Sequence, residues 1–120
     1  MNESIRIIGG LYRGKKLTFA AQPSLRPTPN RIRETLFNWL MHDIRDADCL
    51  DAFAGSGALG FEAFSRGAKQ VTLIEHDQPT YACLKKQAAS FNTTQLTVLR
   101  ADVCDFIKVT QQTFDIIFFD

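Results

Sequence analysis

The residues of this chain best suited to chemistry are spaced carboxylates around a glycine run: Asp51, then Gly55-Ser56-Gly57-Ala58-Leu59-Gly60, then Glu75, Asp102 and Asp120. The run satisfies G-x-G-x-x-G. Two glycines in such a loop let the backbone turn tightly and approach a ligand, and the third lets the next helix pack close to the strand. Free N–H groups at the helix start are expected to face whatever occupies the crevice. Glu75 follows Gly55 by 20 residues, where a carboxylate can accept hydrogen bonds from ribose hydroxyls. Together these residues predict a nucleotide-cofactor loop.

The fingerprint alone does not separate a nicotinamide dinucleotide from an adenosine-based methyl donor. Asp51 bears on that choice. A dinucleotide loop must hold a pyrophosphate dianion, which a nearby carboxylate repels. S-adenosylmethionine has no phosphate and carries a sulfonium and an ammonium, so a carboxylate suits it. Asp102 is placed to accept a hydrogen bond from an adenine amino group, and the same side chain can cap the helix that starts there. Asp120 stands at the end of an apolar strand. There a carboxylate can accept a hydrogen bond from an amine and orient its nitrogen for in-line attack on an activated methyl; the plain alternative is a surface strand-end aspartate.

Alternating strands and helices must position these groups. Short strands are expected within 5–19, with Gly9-Gly10 as a turn, followed by a Pro-rich connector over 22–29. From Asn30, read as an N-cap, apolar residues at Ile32, Leu36, Phe37, Leu40 and Met41 predict an amphipathic helix to about Ile44. Beyond it come a strand over 48–53, a helix from the glycine loop to Gly67, and a strand over 71–74. A helix opened by Pro79, a strand over 96–99, a short helix capped by Asp102 and a strand over 114–119 complete the pattern. Apolar strands separated by helices imply a parallel sheet covered on both faces, an α/β fold. Because such a sheet rarely ends on an apolar central strand, the chain is expected to be the N-terminal part of a longer protein.

Composition narrows the class. The chain has 120 residues, is 45% hydrophobic and has a formal charge of +1, as expected of one globular domain. Residues 1–33 hold seven basic side chains against Glu3 alone, a net +6, while residues 34–120 hold seven basic and twelve acidic, a net −5. A basic segment beside an acidic body suggests a nucleic-acid surface next to a separate chemical site, or else a merely solvated basic arm. Cys49, Cys83 and Cys104 lack metal-ligand spacing and are expected to be reduced core residues. His42 and His76 have no ligand spacing either, so no metal site is expected. Without an 18-residue apolar run or a signal-peptide pattern, a cytoplasmic protein is expected.

Several segments together resemble one family. These are Ile5-Arg6-Ile7-Ile8-Gly9-Gly10, Tyr12-Arg13-Gly14-Lys15-Lys16-Leu17, Leu25-Arg26-Pro27-Thr28, the stretch from Arg31 to Leu40, and Asp51 to Gly60. Across nearly the whole chain they resemble the RsmD family of 16S rRNA guanine-N2 methyltransferases. The resemblance implies a Rossmann-like class I methyltransferase fold, with residues 1–45 as a basic hairpin-and-helix extension and 46–120 as the first half of the methyltransferase domain. It implies S-adenosylmethionine as methyl donor and 16S rRNA as partner, met in a small-subunit assembly particle by a monomeric enzyme. Asp51, Phe53, Ala54, Gly55 and Gly57 would hold the methionine end, Glu75 the ribose, and Asp102 the adenine, with His76 and Val103 beside the ring. Asp120 matches the first residue of the family's Asp-Pro-Pro-Phe/Tyr motif and would be catalytic; the rest of that motif is not in this sequence, so the chain alone is expected to lack turnover. Arg6, Arg13, Lys15, Lys16, Arg26, Arg31 and Arg33 would grip RNA phosphates, some of them bracing the first helix instead. Two other readings stay open: a nicotinamide-dependent oxidoreductase domain, from the complete glycine fingerprint with Glu75, and a non-catalytic RNA-binding fragment.

Overall fold

A computed structural model describes residues 2–20 and 28–119. The chain begins with an antiparallel hairpin of β1 (Asn2–Arg6) and β2 (Lys16–Ala20), in which Ile5 faces Leu17 and Arg6 faces Lys16. The intervening Leu11–Gly14 segment is a turn rather than strand. Gly10 and Gly14 take positive φ there, the left-handed region that glycine enters at little cost.

Helix α1 spans Asn30–Trp39. Asn30 is its first residue and not the expected cap: Pro29 holds that position, and its carbonyl accepts from Arg33 N at 3.0 Å. The Asn30 side chain is occupied otherwise, accepting from the Arg33 guanidinium. The helix also stops short of Ile44. The chain tightens into turns over 40–46, which carry Ile44 into the core.

Four parallel strands follow, β3 (Asp48–Asp51), β4 (Gln70–Glu75), β5 (Leu96–Arg100) and β6 (Ile116–Phe118), in the spatial order β5-β4-β3-β6. Helices α2 (Ala58–Ser65), α3 (Gln78–Ala89) and α4 (Val103–Val109) connect them. Successive side chains point to opposite faces. Cys49, Val71 and Leu73 pack with Phe61 and Phe64 of α2, Leu84 and Ala88 of α3, and Phe91, while Leu50, Ala52 and Ile74 pack with Val103. Ile7, Leu17, Phe37 and Ile44 belong to the first of these clusters, so packing runs across position 45. Asp77 caps α3 by accepting from Thr80 N at 3.1 Å, and Pro79 sits inside its first turn.

Not all three cysteines are core residues. Cys49 is buried, and burial, helped by Asp115 and Asp48, pushes its thiol up to about 12. Cys83 is half-buried, and Cys104 is exposed on the two-turn helix α4, of which only Val103 is buried.

Strands β3, β4 and β5 progress in one direction and β6 then pairs on the other side of β3. That reversal makes the C-terminal ends of β3 and β6 the switch point of the sheet, where open α/β folds form their ligand crevice.

Candidate cofactor-binding site

Three of the carboxylates singled out in the sequence stand at this edge: Asp51 ends β3, Glu75 ends β4, and Asp102 follows β5. Parallel neighbours in register bring them to one side of the molecule. β6 reaches the same edge, where the Phe118 carbonyl accepts from Ala52 N at 3.0 Å and the Phe119 ring lies 6.1 Å from that of Phe53. Asp120, the proposed catalytic residue, lies outside the described residues.

The glycine loop is tightly organised. Gly55 and Gly57 have φ of 54° and 83°, and a Cβ on Gly57 would fall 2.3 Å from the Phe61 ring. At Gly60 a Cβ would meet Leu73 at 2.8 Å, so this glycine does permit close helix–strand packing. Gly57 occupies the N-cap position of α2 without a side chain to cap it. The Asp51 carboxylate substitutes from the preceding strand: its Oδ2 accepts from Gly60 N at 3.0 Å. Ser56 Oγ accepts from Ala58 N at 3.2 Å, Ala54 O from Gly57 N at 2.7 Å, and Ile74 O from Ala54 N at 2.9 Å.

This corrects the expectation that N–H groups at the helix start face the crevice freely. Those of Ala58 and Gly60 already have protein acceptors, because a strand-end carboxylate and a loop hydroxyl reach the first turn before any ligand. The consequence is chemical. A helix start with two first-turn donors, Ala58 N and Gly60 N, already occupied and a carboxylate beside it is a poor cradle for pyrophosphate. No Lys or Arg occurs between Asp51 and Ser65 to offset that charge.

Glu75 is part of the same construction. Its Oε1 accepts from Gly55 N at 3.0 Å and its Oε2 from Asp77 N at 3.1 Å, so it holds the loop as well as standing beside it. A carboxylate oxygen has two lone pairs and keeps capacity for a further donor. His76 is exposed, with Nδ1 3.7 Å from Glu75 Oε2. Asp102 caps α4 through Oδ1, which accepts from Cys104 N at 2.8 Å and Asp105 N at 3.2 Å. Val103 is buried behind it, Phe53 is about half exposed, and Ala54 is buried. The donor set is therefore carboxylates, a small apolar floor and an exposed ring. It matches a cationic ligand with hydroxyl and amino donors.

Among the basic residues, Arg6, Arg13, Lys16 and Arg31 are exposed. Lys15 is half-buried with Nζ 4.8 Å from the Phe91 ring centre, and Arg6 Nη1 donates to Gly14 O at 2.9 Å. Arg26 lies outside the described residues. Arg33 requires a correction. It is fully buried, its Nη2 donates to Arg6 O at 3.0 Å and to Asn30 Oδ1, and no partner meets Nε or Nη1. Burial lowers its pKa, an effect opposed by the charge of Glu62 and deepened by that of Arg66. Arg33 braces α1 against β1 and is out of reach of a phosphate.

Sequence reasoning passed over Glu62 and Ser65, both buried on α2. A signal was present: Glu62 is the one charge in the segment Ala-Leu-Gly-Phe-Glu-Ala-Phe-Ser, and a lone carboxylate on an apolar helix needs buried partners. No cluster of metal-ligating side chains occurs among the described residues, and no helix among them is long and apolar enough to cross a membrane.

The model of the family described as conserved hypothetical protein 95 matches residues 5–120. The chain is 48% identical over 120 residues to the ribosomal RNA small subunit methyltransferase D of Haemophilus influenzae, covering 97% of this chain and 62% of that protein. It thus spans about three fifths of that curated relative's length. Among solved structures, the putative methyltransferase yhhF of Escherichia coli superposes with a TM-score of 0.87 at 45% identity, covering 98% of this chain and 64% of that one. The 16S rRNA N2 G1207 methyltransferase RsmC of T. thermophilus, in complex with AdoMet and guanosine, gives 0.70 at 26% identity, covering 98% and 31%.

Proposed function

The chain belongs to the conserved hypothetical protein 95 family, the RsmD family, with a class I methyltransferase fold, and from that premise we propose that it is the donor-binding part of an rRNA guanine-N2 methyltransferase using S-adenosylmethionine. The observation that carries this reading is the negatively charged helix start at the glycine loop, where Asp51 accepts from Gly60 N and Ser56 from Ala58 N, two of the first-turn donors on which a pyrophosphate would draw. It disfavours a nicotinamide dinucleotide and suits a sulfonium-and-ammonium ligand. When bound, that donor supplies an electrophilic methyl carbon.

The chain's own residues supply position and charge. Asp51 sets negative charge beside the methionine end and, through Gly60 N, fixes the helix that shapes the loop. Glu75 pins Gly55 and retains lone pairs for ribose hydroxyls. Asp102, already oriented by capping α4, accepts from the adenine amino group while Val103 and His76 flank the ring. Asp120 accepts from the target amine, whose lone pair is otherwise delocalised into the guanine ring, and favours the pyramidal geometry of attack. Holding nitrogen and methyl in line supplies much of the acceleration. The target base must leave its stack to reach the crevice, so the exposed cations of the hairpin and α1 grip the RNA elsewhere through phosphates. The substrate is 16S rRNA in a small-subunit assembly particle, met in the cytoplasm by a monomer.

Calorimetric titration tests the donor. S-adenosylhomocysteine is expected to bind and NADH is not; binding of NADH alone would overturn the reading. In turnover on small-subunit particles by the full-length enzyme, Asp120→Ala should abolish most methyl transfer while donor affinity stays nearly unchanged. Equal loss of donor binding would remove the role assigned to Asp120.

A further inference from the structure

The helix that starts at the glycine loop also anchors the basic hairpin. Glu62 of α2 is fully buried. Its Oε1 accepts from Ile8 N at 2.9 Å, and its Oε2 accepts from Gly9 N at 2.9 Å and Arg66 Nε at 2.7 Å. Three residues on, Ser65 Oγ accepts from Tyr12 N at 2.9 Å and donates to Gly9 O at 2.7 Å, while the Ser65 carbonyl accepts from Leu11 N at 2.8 Å. The Tyr12 ring stacks on Phe64 at 5.7 Å and meets Phe91 edge-on at 4.9 Å. The Gly9-Gly10 pair makes the approach possible: a Cβ on Gly10, at φ +85°, would lie 2.1 Å from the Ser65 carbonyl oxygen.

A buried carboxylate is costly to desolvate, and an apolar side chain of similar size would fill the same space at least as well. What the carboxylate provides is direction, because two successive backbone N–H groups of the hairpin can meet its two oxygens in only one orientation. Glu62 lies five residues, about 8 Å of helix rise, beyond Gly57. One rigid helix therefore holds the donor loop at its start and the hairpin partway along.

Resting on the methyltransferase reading, we propose that Glu62 is a positioning residue for the RNA substrate, locking the hairpin that carries Arg6, Arg13, Lys15 and Lys16 at a fixed distance from the donor loop. Phosphate contacts add affinity most when the groups that make them are already in place, since a loose hairpin must be ordered on binding. Ser65 is the second fastening of the same joint.

The test compares Glu62→Gln and Ser65→Ala with Val71→Ala, a core truncation in β4 that removes none of the Glu62 or Ser65 hydrogen bonds to the hairpin. Binding of 16S rRNA extracted from small subunits is measured by filter retention at one ionic strength, S-adenosylhomocysteine binding by calorimetry, and stability by thermal melting. Glu62→Gln is expected to weaken RNA binding roughly tenfold or more, the scale of a lost charge-assisted hydrogen bond, with Ser65→Ala weakening it less. S-adenosylhomocysteine affinity should stay within about twofold, and turnover by the full-length enzyme carrying the same substitution should show the loss in KM for RNA and not in kcat. Val71→Ala should leave RNA affinity intact even where its melting temperature falls as far. RNA affinity unchanged in both α2 variants, or lost in step with stability in Val71→Ala as well, would overturn the proposal. Failure of the underlying reading would show separately, as a wild-type protein that binds neither S-adenosylhomocysteine nor RNA.

Discussion

Asp51 performs two tasks that substitution can separate. Its Oδ2 accepts from Gly60 N in the first turn of α2, so it works as a helix cap supplied from the neighbouring strand, and its charge faces the loop proposed to hold a cationic donor. Asn keeps an oxygen that can accept from Gly60 and discards the charge. Asp51→Asn should therefore weaken S-adenosylmethionine binding by roughly tenfold or more while leaving thermal stability nearly unchanged. Asp51→Ala discards both, and the lost cap with its orphaned buried N–H should cost a further ~1–3 kcal/mol of folding stability. Titration and melting of the two variants check this. Donor affinity retained in Asp51→Asn would reduce Asp51 to a cap.

At the scale of elements, Gly60 reverses an ordinary rule. Gly→Ala inside a helix usually stabilises by about 1 kcal/mol, because glycine loses more backbone freedom on folding. Here the added methyl would meet Leu73 Cδ2 at 2.8 Å and Asp51 Oδ2 at 3.2 Å, and Leu73 is fully buried with nowhere to retreat. Gly60→Ala is accordingly expected to lower the melting temperature, by overpacking on the order of 1–3 kcal/mol; a higher melting temperature would refute the packing role. That role was legible in the sequence because a glycine at the sixth position of the fingerprint has a geometric reason to be there. The parallel strands were legible too, from apolar runs such as Val71-Thr72-Leu73-Ile74 set between helical patterns. The end of α1 was not: Leu40 and Met41 continue the helical period, but tertiary packing of Ile44 turns the chain there. The Glu62 fastening was hidden for a related reason, since its partners are backbone N–H groups 53 and 54 residues away, and any residue except proline offers one.

At the scale of the whole molecule, the separation of +6 in residues 1–33 from −5 in the remainder becomes a spatial arrangement with a measurable consequence. The sequence offers seven cations to an RNA, but burial withdraws Arg33, which a count of charges cannot reveal. Arg6, Arg13, Lys16 and Arg31 are exposed and Lys15 is half-buried. Each cation that replaces a counterion on single-stranded RNA contributes about −0.7 to the slope of log affinity against log salt, so four or five contacts give a slope near −3. Arg13→Gln or Lys16→Gln should each make that slope shallower by about 0.7, weakening binding to all sequences alike. Arg33→Gln should leave the slope unchanged, because a guanidinium enclosed between α1 and β1 releases no counterion when RNA binds. Filter binding across a salt series measures all three. A slope that shifts equally for Arg33 and Arg13 would mean that the hairpin opens to expose the buried arginine of α1, and a slope near zero would remove the phosphate grip altogether.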